Sequence, residues 1–318
     1  MKVYIIILNY NGKQDTLDCL TSLKQQTYAH FDTVVVDNGS SDNSCAAIKE
    51  KHPDITLIPT GENLGFAGGN NVGIEHCLKH DCDAIFLLNN DTEIDPRCVE
   101  EFVLQSKTMP KSILGGCLTQ FHDRTKYDHI GGMWSDEKAN FDLIGSNETI
   151  TPTKYQEPRH FDFVCGASMF IPRRVFEEIG LLEPKFFLIW EESDYCAKAL
   201  RNQFEVTYCP KAIIYHKVSA SFVGGKPHTH YFWWRNRLFY MKRNLSNKKY
   251  QALMIKIIVP ELAHILKLYL LKSIQLLFIK QKREEKAKKV KCYKAALRGA
   301  LDYFRGHFGP APDWIIKK

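Results

Sequence analysis

The sequence lacks the cysteine patterns that mark zinc sites and disulfide frameworks. Its ten cysteines include no Cys-x-x-Cys pair and no Cys/His cluster at zinc spacing. Several of them, such as Cys165 and Cys196, lie among apolar residues. We therefore expect reduced thiols in the core of a cytosolic protein.

Long apolar runs are also missing. The N-terminal run from Val3 to Leu8 is too short for a secretory signal peptide and leads directly into Asn9. A spanning helix needs about 20 mostly uncharged residues. The apolar stretch over residues 250–280 does not meet this requirement, because it is interrupted by Lys256, Pro260, Glu261, His264, Lys267 and Lys272.

Acidic residues are scarce near the C-terminus. Residues 226–318 contain 22 Lys and Arg but only 5 Asp and Glu, whereas residues 1–225 contain 21 basic and 31 acidic residues. This asymmetry predicts metal and substrate chemistry in the first part and an anionic partner for the second. We therefore divide the chain into a catalytic domain, residues 1–225, and a basic, mainly helical region, residues 226–318.

Two interpretations of the basic region remain open. Lys256, Pro260, His264 and Lys267 fall on one helical stripe and leave the rest of that helix apolar. With the lysines of residues 280–294, this pattern is typical of helices that lie in the plane of an anionic membrane surface. The alternative is a helical hairpin that packs on the catalytic domain or on a second subunit of a homodimer.

Buried strands and helices alternate from the N-terminus onward, which predicts a parallel α/β sheet. Helical spacing covers Asp15–Gln26 and Ser44–Lys51. The apolar runs of strand length are Val3–Leu8, Thr33–Val36 and Ile55–Ile58, followed by Ala84–Leu88.

Acidic side chains follow two of these strands directly. Asp91 comes after Ala84–Leu88, Asn89 and Asn90, at the strand end where open α/β sheets bind ligands. Its carboxylate suits a hard divalent cation, although an Asx turn is an alternative. Asp37 is placed in the same way and could bond a nucleotide base or ribose, unless the segment is a simple strand-to-helix turn with Asp42 or Asn43 as N-cap.

Residues 62–73 contain four glycines and three asparagines. This composition predicts a loop that allows close backbone approach, followed by a helix over Val72–Leu78 whose N–H groups face an anion. The segment is neither a P-loop nor a dinucleotide-binding loop, because the required spacings are absent.

Three acids follow a run of five large apolar residues: Glu191, Glu192 and Asp194. Mutual repulsion and an apolar wall raise carboxyl pKa values, which suits a general base. A charged helix start is the alternative. Further on, Phe161–Pro172 indicates strand, turn and strand, and Val206–Tyr208 and Ala212–His216 indicate two further short strands. His216, which ends the second of these, could bind a metal or be an ordinary surface or core histidine.

Seven short motifs occur in order over residues 3–225. They are Leu8-Asn9-Tyr10-Asn11, Val36-Asp37-Asn38-Gly39-Ser40-Ser41-Asp42, Asn63-Leu64-Gly65-Phe66-Ala67-Gly68-Gly69-Asn70, Leu87-Leu88-Asn89-Asn90-Asp91-Thr92, Cys165-Gly166-Ala167, Trp190-Glu191-Glu192-Ser193-Asp194 and Tyr215-His216-Lys217. Together they resemble the family-2 glycosyltransferases with the GT-A fold, in the rhamnosyltransferase-like branch.

The resemblance implies an α/β fold with a mostly parallel central sheet flanked by helices, plus a C-terminal helical extension. It implies an inverting enzyme that uses Mg²⁺ or Mn²⁺ to transfer a sugar from a nucleotide-diphosphate sugar, dTDP-rhamnose or a UDP-hexose. The acceptor would be a glycan or lipid-linked glycan of cell-surface polysaccharide synthesis, used at the inner face of the cytoplasmic membrane, with no nucleic acid involved. A nucleotidyltransferase and a non-catalytic glycan-binding domain are the alternatives.

The resemblance also implies roles for single residues. Asp91 and His216 would bind the metal, Glu192 would be the base, and Trp190 would contact the acceptor. Glu191 is an alternative base, and Asp194 belongs to the same catalytic cluster. Asn89 replaces the first Asp of the usual metal motif, and Glu192 stands where many relatives have Asp. The implied nucleotide-sugar contacts are Asn9, Asn11, Asp37, Asn38, Gly39, Asn63, Gly65, Phe66, Gly68, Asn70, Asn89, Asn90, Gly166 and Ala167.

Overall fold

The computed structural model describes residues 1–217, 225–278 and 282–316, and these fall into two compact units. The first unit consists of residues 1–133, 142–184 and 191–217. The second consists of residues 134–141, residues 185–190 and the described residues from 225 onward. The predicted boundary between residues 225 and 226 stays a prediction, because residues 218–224 lie outside the described part of the chain.

The first unit begins with alternating strands and helices. The strands at Val3–Asn9, Phe31–Asp37 and Ala84–Asn89 are mostly buried in the sheet, as the sequence predicts, whereas the edge strand at Thr56–Pro59 has no buried residue. The elements are β1 (Val3–Asn9), α1 (Lys13–Leu23), β2 (Phe31–Asp37), α2 (Ser44–Lys51), β3 (Thr56–Pro59), α3 (Gly65–Leu78) and β4 (Ala84–Asn89).

Shorter strands and two further pairs of helix and strand follow β4. These elements are β5 (Thr92–Ile94), α4 (Cys98–Thr108), β6 (Ser112–Gln120), β7 (Tyr127–His129), β8 (Gly131–Ser135), β9 (Asn140–Ile144), β10 (Ser168–Pro172), α5 (Arg173–Ile179), α6 (Glu191–Arg201) and β11 (Glu205–His216). A 3-10 turn, Pro184–Phe186, lies between α5 and α6.

The central sheet has nine strands, and eight of them follow the order β3-β2-β1-β4-β10-β6-β11-β5, with β7 paired to β6. Strands β3, β2, β1 and β4 are parallel, as are β6 and β11. β10 is antiparallel to both of its neighbours, and β5 is antiparallel to β11. The predicted mostly parallel sheet flanked by helices is therefore confirmed, and β8 and β9 form a separate two-stranded ribbon.

The glycine-rich segment is helical, so the prediction of an open loop is wrong. α3 begins at Gly65 rather than Val72, and it includes Phe66, Gly68 and Asn70 in its first turns. The Asn70 side chain is buried and donates to the Phe66 carbonyl at 3.0 Å, one turn earlier in the same helix.

Two glycines of α3 explain why this sequence forms a helix here. A Cβ atom at Gly69 would lie 2.5 Å from Leu8 Cδ1, and one at Gly73 would lie 2.8 Å from Ile6 Cγ2. Because there is no room for a side chain at either position, these glycines allow α3 to pack directly on β1.

Two strand predictions are corrected as well. The two short strands predicted between Val206 and His216 form one strand, β11, which shifts register against β6 between Cys209 and Ile213. Residues 161–164 are not a strand, because Phe163 makes only an isolated bridge, to Gly132. All ten cysteines are free thiols, and eight of them are buried.

The second unit contains the predicted C-terminal helices. They are α7 (Pro227–Asn244), α8 (Asn247–Leu253), α9 (Val259–Phe278), α10 (Arg283–Phe304) and α11 (Asp313–Ile316), with a π-helical turn at Met254–Ile258. α10 packs closely on α7: a Cβ atom at Gly299 would lie 2.2 Å from the Tyr231 carbonyl oxygen. Within the described residues, no helix is long and apolar enough to cross a membrane.

The loop that leads to residue 190 has an unusual backbone. Phe187, Ile189 and Trp190 all have positive φ angles, of 64°, 71° and 79°. L-residues with large side chains rarely adopt this conformation, which costs on the order of 1–3 kcal/mol per residue. The surrounding structure must therefore hold the loop in place.

Two fully buried polar residues of α7 hold it. Asn236 donates from Nδ2 to the carbonyl oxygens of Phe186, Leu188 and Ile189 at 2.7–2.8 Å. Arg235 donates from Nη2 to the Phe186 carbonyl at 2.7 Å and from Nε to the Asn236 side chain at 2.9 Å. The loop carbonyls that would otherwise be unsatisfied are thereby bonded inside the second unit.

We expect Asn236→Ala to destabilise the second unit by about 3 kcal/mol, because it removes the donor to the part-buried Leu188 and Ile189 carbonyls, while the Phe186 carbonyl keeps Arg235. All five tryptophans lie in this unit, so urea unfolding followed by tryptophan fluorescence measures the loss directly. Gln251→Ala, at an exposed site on α8, is the control and should change the free energy of unfolding by less than about 0.5 kcal/mol. An equal effect of both changes would contradict this role for Asn236.

Candidate active site

The carboxyl ends of β1 and β2 meet at a network of amide and carboxylate side chains. Asn9 lies opposite Asp37 in the strand register and donates from Nδ2 to Asp37 Oδ1 at 2.7 Å and to Ser40 Oγ at 3.0 Å. The Oδ1 atom of Asn9 accepts from Thr16 at 2.8 Å. Asn9 thus joins β1, α1 and the loop after β2, and Asp37 keeps unused acceptor capacity for a ligand.

The loop after β2 is fixed by asparagine side chains. Asn11 has a positive φ of 52° and accepts a hydrogen bond from the Ser41 amide at 2.7 Å. Asn38 accepts from the Leu64 amide and donates to Asn63 and to the Gly65 carbonyl. The loop after β2 is therefore bonded directly to the start of α3.

Gly39 and Asp42 complete this turn. Gly39 has a φ of 77°, and a Cβ atom there would lie 2.7 Å from the backbone of Glu62. The Ser44 amide donates to Asp42 Oδ1 at 3.1 Å, while Asn43 holds the N-cap position of α2 without a side-chain hydrogen bond to the helix. Neither residue takes up Asp37, which lies at the same edge of the sheet.

Pairing between β5 and β11 places Asp91 beside His216. His216 lies opposite Thr92 in the antiparallel register, and the Lys217 amide donates to the Asp91 carbonyl at 2.9 Å. As a result, His216 Nε2 lies 3.5 Å from Asp91 Oδ1, and both side chains are mostly buried. The structure thus brings together the two residues that the sequence analysis assigned to the metal.

Asp128 orients the His216 ring, and sequence reasoning missed it. Its Oδ2 accepts a hydrogen bond from His216 Nδ1 at 2.7 Å, and its Oδ1 lies 3.7 Å from His129 Nδ1. Burial alone would raise the pKa of Asp128, but its hydrogen bonds with His129 and His216 lower it well below the usual range. The only signal in the sequence was an Asp-His pair in a segment without a clear pattern.

Burial opposes the charged form of His216, yet its pKa is raised to about 10 because Asp128 and Asp91 both bond it. Burial likewise opposes the charge of His129, whose pKa is raised to about 10 by Cys165 and Asp128. These imidazoles neutralise neighbouring carboxylates in the folded protein.

The residues at this point fit a divalent cation that is bound together with a diphosphate. The Asp91 carboxylate and His216 Nε2 converge, and a metal that displaced the proton on Nε2 would meet a lone pair already oriented by the Nδ1–H bond to Asp128. Among the described residues, no group of three or more His, Cys, Asp or Glu side chains could hold a metal by themselves. Diphosphate oxygens and water would therefore complete the coordination, as is usual for Mg²⁺.

Glu191 and Glu192 are neighbouring carboxyl groups in the first turn of α6. Glu191 is buried, and the described residues offer no hydrogen-bond partner to its Oε2 atom. Burial first, and then the charge of Glu192, raise the pKa of Glu191 well above the usual range. Burial also raises the pKa of Glu192, while the nearby charge of His129 lowers it. Because Glu191 Oε2 has no hydrogen-bond partner and Glu192 lies near the charge of His129, the surroundings favour the neutral form at Glu191 and the negative charge at Glu192.

Gly166 lies between the predicted base and the predicted donor site. A Cβ atom at this position would lie 3.4 Å from Glu192 Cβ and 3.3 Å from Phe66 Cζ. The neighbouring Ala167 accepts from the Asn89 amide at 3.0 Å, so this segment is bonded to the end of β4. Asn90 donates to Thr16 at 3.0 Å and belongs to the same edge.

Three predicted site residues are engaged in packing. Gly68 lies within α3, Asp194 is buried in α6, and Trp190 is buried in the second unit. There the Trp190 ring packs against Phe141 and Tyr240, at centroid distances of 5.5 and 5.1 Å. The predicted roles of all these residues toward substrate stay predictions.

Comparison with known proteins identifies relatives of the chain. The low-salt glycan biosynthesis hexosyltransferase Agl10 of Haloferax volcanii is 30% identical over 223 residues, which are 64% of this chain and 64% of the relative. The dTDP-rhamnosyl transferase RfbF of Shigella flexneri is 24% identical over 68% of this chain and 69% of the relative. An N-acetylglucosaminyl-diphospho-decaprenol L-rhamnosyltransferase of Mycobacterium tuberculosis is 23% identical over 71% and 79%. The chain thus spans just under two thirds of the Haloferax relative.

Solved structures share the fold. The mannosyltransferase PcManGT of Pyrobaculum calidifontis, solved with GDP-Man and Mn²⁺, superposes with a TM-score of 0.58 over 95% of this chain and 87% of that one, at 14% identity. This similarity confirms the predicted GT-A fold. A model of the family described as "Glycosyl transferase family 2" matches residues 4–180. Because that match covers more than half of the chain, the protein belongs to glycosyl transferase family 2.

Proposed function

We propose that this glycosyltransferase moves a sugar from a nucleotide-diphosphate sugar to a hydroxyl of a lipid-linked glycan, with inversion and with the help of Mg²⁺ or Mn²⁺. The donor would be dTDP-rhamnose or a UDP-hexose. The names of two relatives support this choice, since one is a dTDP-rhamnosyl transferase and the other acts on a decaprenol-linked acceptor. The reaction would serve cell-surface polysaccharide synthesis at the inner face of the cytoplasmic membrane.

The observation that carries the proposal is the continuous polar cluster in the first unit. It runs from Asp91 through His216 and Asp128 to His129, whose charge acts on Glu192. Group transfer between a charged donor and a hydroxyl needs charge neutralisation at one end and proton removal at the other. The cluster supplies residues of both kinds.

Asp91 and His216 would hold the divalent cation. When bound, the cation would neutralise charge on the diphosphate leaving group. Asp128 keeps the His216 ring in the orientation that points Nε2 toward Asp91. Asp37 and the asparagines around it would bind the nucleoside at the edge formed by β1 and β2.

Glu192 would act as the base. Its carboxylate takes the proton of the acceptor hydroxyl while that oxygen forms a bond to the anomeric carbon of the sugar. The bond from that carbon to the diphosphate oxygen breaks at the same time, and the bonding pair leaves with the nucleoside diphosphate. A single displacement of this kind inverts the anomeric configuration, as in inverting glycosidases with a sugar hydroxyl in place of water. Glu191, which holds its own proton, keeps negative charge away from Glu192.

We expect Asp91→Asn and His216→Ala to weaken Mg²⁺-dependent binding of dTDP or UDP and to abolish transfer, because each removes a metal ligand. Asp128→Asn should weaken metal affinity by roughly 10- to 100-fold, since it removes the acceptor that orients His216. Isothermal titration calorimetry of dTDP or UDP with and without Mg²⁺ measures the loss of metal-dependent binding, and an assay of sugar transfer measures the loss of activity. Asp54→Asn, an exposed carboxylate change, is the control, and unchanged metal dependence in Asp91→Asn and His216→Ala would reject the assignment.

We expect Glu192→Gln to lower kcat by about 10²–10⁴ while donor affinity stays nearly unchanged, because a general base contributes about that factor. Glu191→Gln should keep most of the activity, since an amide replaces a carboxyl that is already uncharged. Steady-state kinetics with a fixed acceptor separates the two variants. An inactive Glu191→Gln with an active Glu192→Gln would exchange the two roles.

The stability of Glu191→Gln provides an independent check of this division. A carboxyl group with a raised pKa in the folded state stabilises the protein below its unfolded pKa, and that contribution is lost as pH rises. The difference in melting temperature between Glu191→Gln and the unaltered protein should therefore shift in favour of the variant as the pH rises above about 5. Glu137→Gln, an exposed change, should show no such trend, and a flat difference for Glu191→Gln would contradict the protonated state of Glu191.

A further inference from the structure

Helix α9 is apolar on two opposite sides, although none of its residues is buried. One side, which includes Leu262, Ile265, Tyr269 and Leu276, is half-buried. The opposite side carries large apolar residues that are 46–81% exposed: Val259, Leu266, Leu270, Leu271, Ile274, Leu277 and Phe278. Soluble monomers rarely expose a continuous apolar face of this length, so a partner is expected to cover it.

The charge around this face selects the partner. Lys256 and Lys267 are exposed on or beside it, and the first half of α10 with its N-cap adds exposed basic residues: Lys282, Arg283, Lys288, Lys289 and Lys294. Only two acidic residues, Glu284 and Glu285, accompany them at the start of α10. A partner that is apolar in its interior and anionic on its surface complements both properties.

A second copy of the chain fits less well. A parallel pairing of two α9 helices would place each basic cluster near its symmetry mate, where like charges repel. Any pairing through this side would also bury Lys267, which lies two helical turns before Ile274 and therefore on the same side of the helix. At a membrane surface the same lysine can keep its ammonium group in water while its stem lies along the lipid.

We propose that the outward side of α9, from Val259 to Phe278, inserts into the interface of an anionic bilayer, with the basic start of α10 bound to lipid phosphates. This inference rests on the proposed function in one respect: a membrane-linked acceptor gives the enzyme a reason to bind the membrane. Insertion removes the apolar side chains of this side from water, and each lysine near an anionic leaflet adds electrostatic attraction. The residues that face the lipid are the exposed apolar residues of this side of α9.

The test is co-sedimentation of the full-length protein with vesicles of phosphatidylcholine and phosphatidylglycerol, compared with phosphatidylcholine alone. We expect binding to the anionic vesicles at low salt and partial release at high salt. The double change Leu270→Glu and Ile274→Glu should lower vesicle partitioning by more than about tenfold. Leu104→Glu, a change of the same kind at an exposed leucine of α4, should leave partitioning unchanged.

Charge changes test the second part of the surface. Arg283→Gln and Lys288→Gln should each lower partitioning by roughly fivefold, the factor that corresponds to one basic residue at an anionic surface. Hydrogen exchange should show added protection of α9 when anionic vesicles are present.

Three results would overturn the inference. The unaltered protein could stay in the supernatant with anionic vesicles, or the double glutamate variant could sediment as the unaltered protein does. Light scattering could also show a dimer that the double variant converts to a monomer, which would assign the face to a second copy. Donor hydrolysis in the absence of acceptor, measured on the same samples, tests the proposed function separately, because its loss would leave the vesicle result unchanged.

Discussion

The hydrogen bond between Asp128 and His216 is the interaction on which the rest of the site depends. It joins β7 to the end of β11, two elements far apart in sequence, and it fixes which nitrogen of His216 faces Asp91. Burial makes this bond strong and makes its loss costly, because a carboxylate or imidazolium without a partner is poorly tolerated away from water. Strand pairing brings the groups close, and this bond determines how they are oriented.

The two glutamates of α6 show how one helix start can give two carboxyls different properties. Burial raises the pKa of both carboxyl groups. The positive charge of His129 lowers the pKa of Glu192, whereas the negative charge of Glu192 raises the pKa of Glu191 further. The two glutamates are therefore linked electrostatically, through His129 and Asp128, to the neighbouring side chains of His216 and Asp91. In this arrangement, a change at His129 would act on the proposed base as well as on the proposed metal ligands.

Sequence patterns predicted the parallel strands, the strand-end position of Asp37 and Asp91, and the resemblance that named His216 and Glu192. They failed where tertiary packing decides the structure. The run from Gly65 to Gly73 has the composition of a loop, yet it is helical because Gly69 and Gly73 pack on Leu8 and Ile6. Asp128 could not be predicted, because its role comes from a contact across 88 residues of sequence. The clamp formed by Arg235 and Asn236 likewise becomes visible only once the loop it holds is known.

The central claim is that His216 binds a metal together with Asp91. Pulsed electron paramagnetic resonance of Mn²⁺, bound with dTDP or UDP, measures this directly, because a coordinated imidazole gives a nitrogen coupling to the manganese spin. We predict that this coupling is present in the unaltered protein and absent in His216→Gln. A nucleotide-bound Mn²⁺ without nitrogen coupling in the unaltered protein, or with coupling that persists in His216→Gln, would contradict the account.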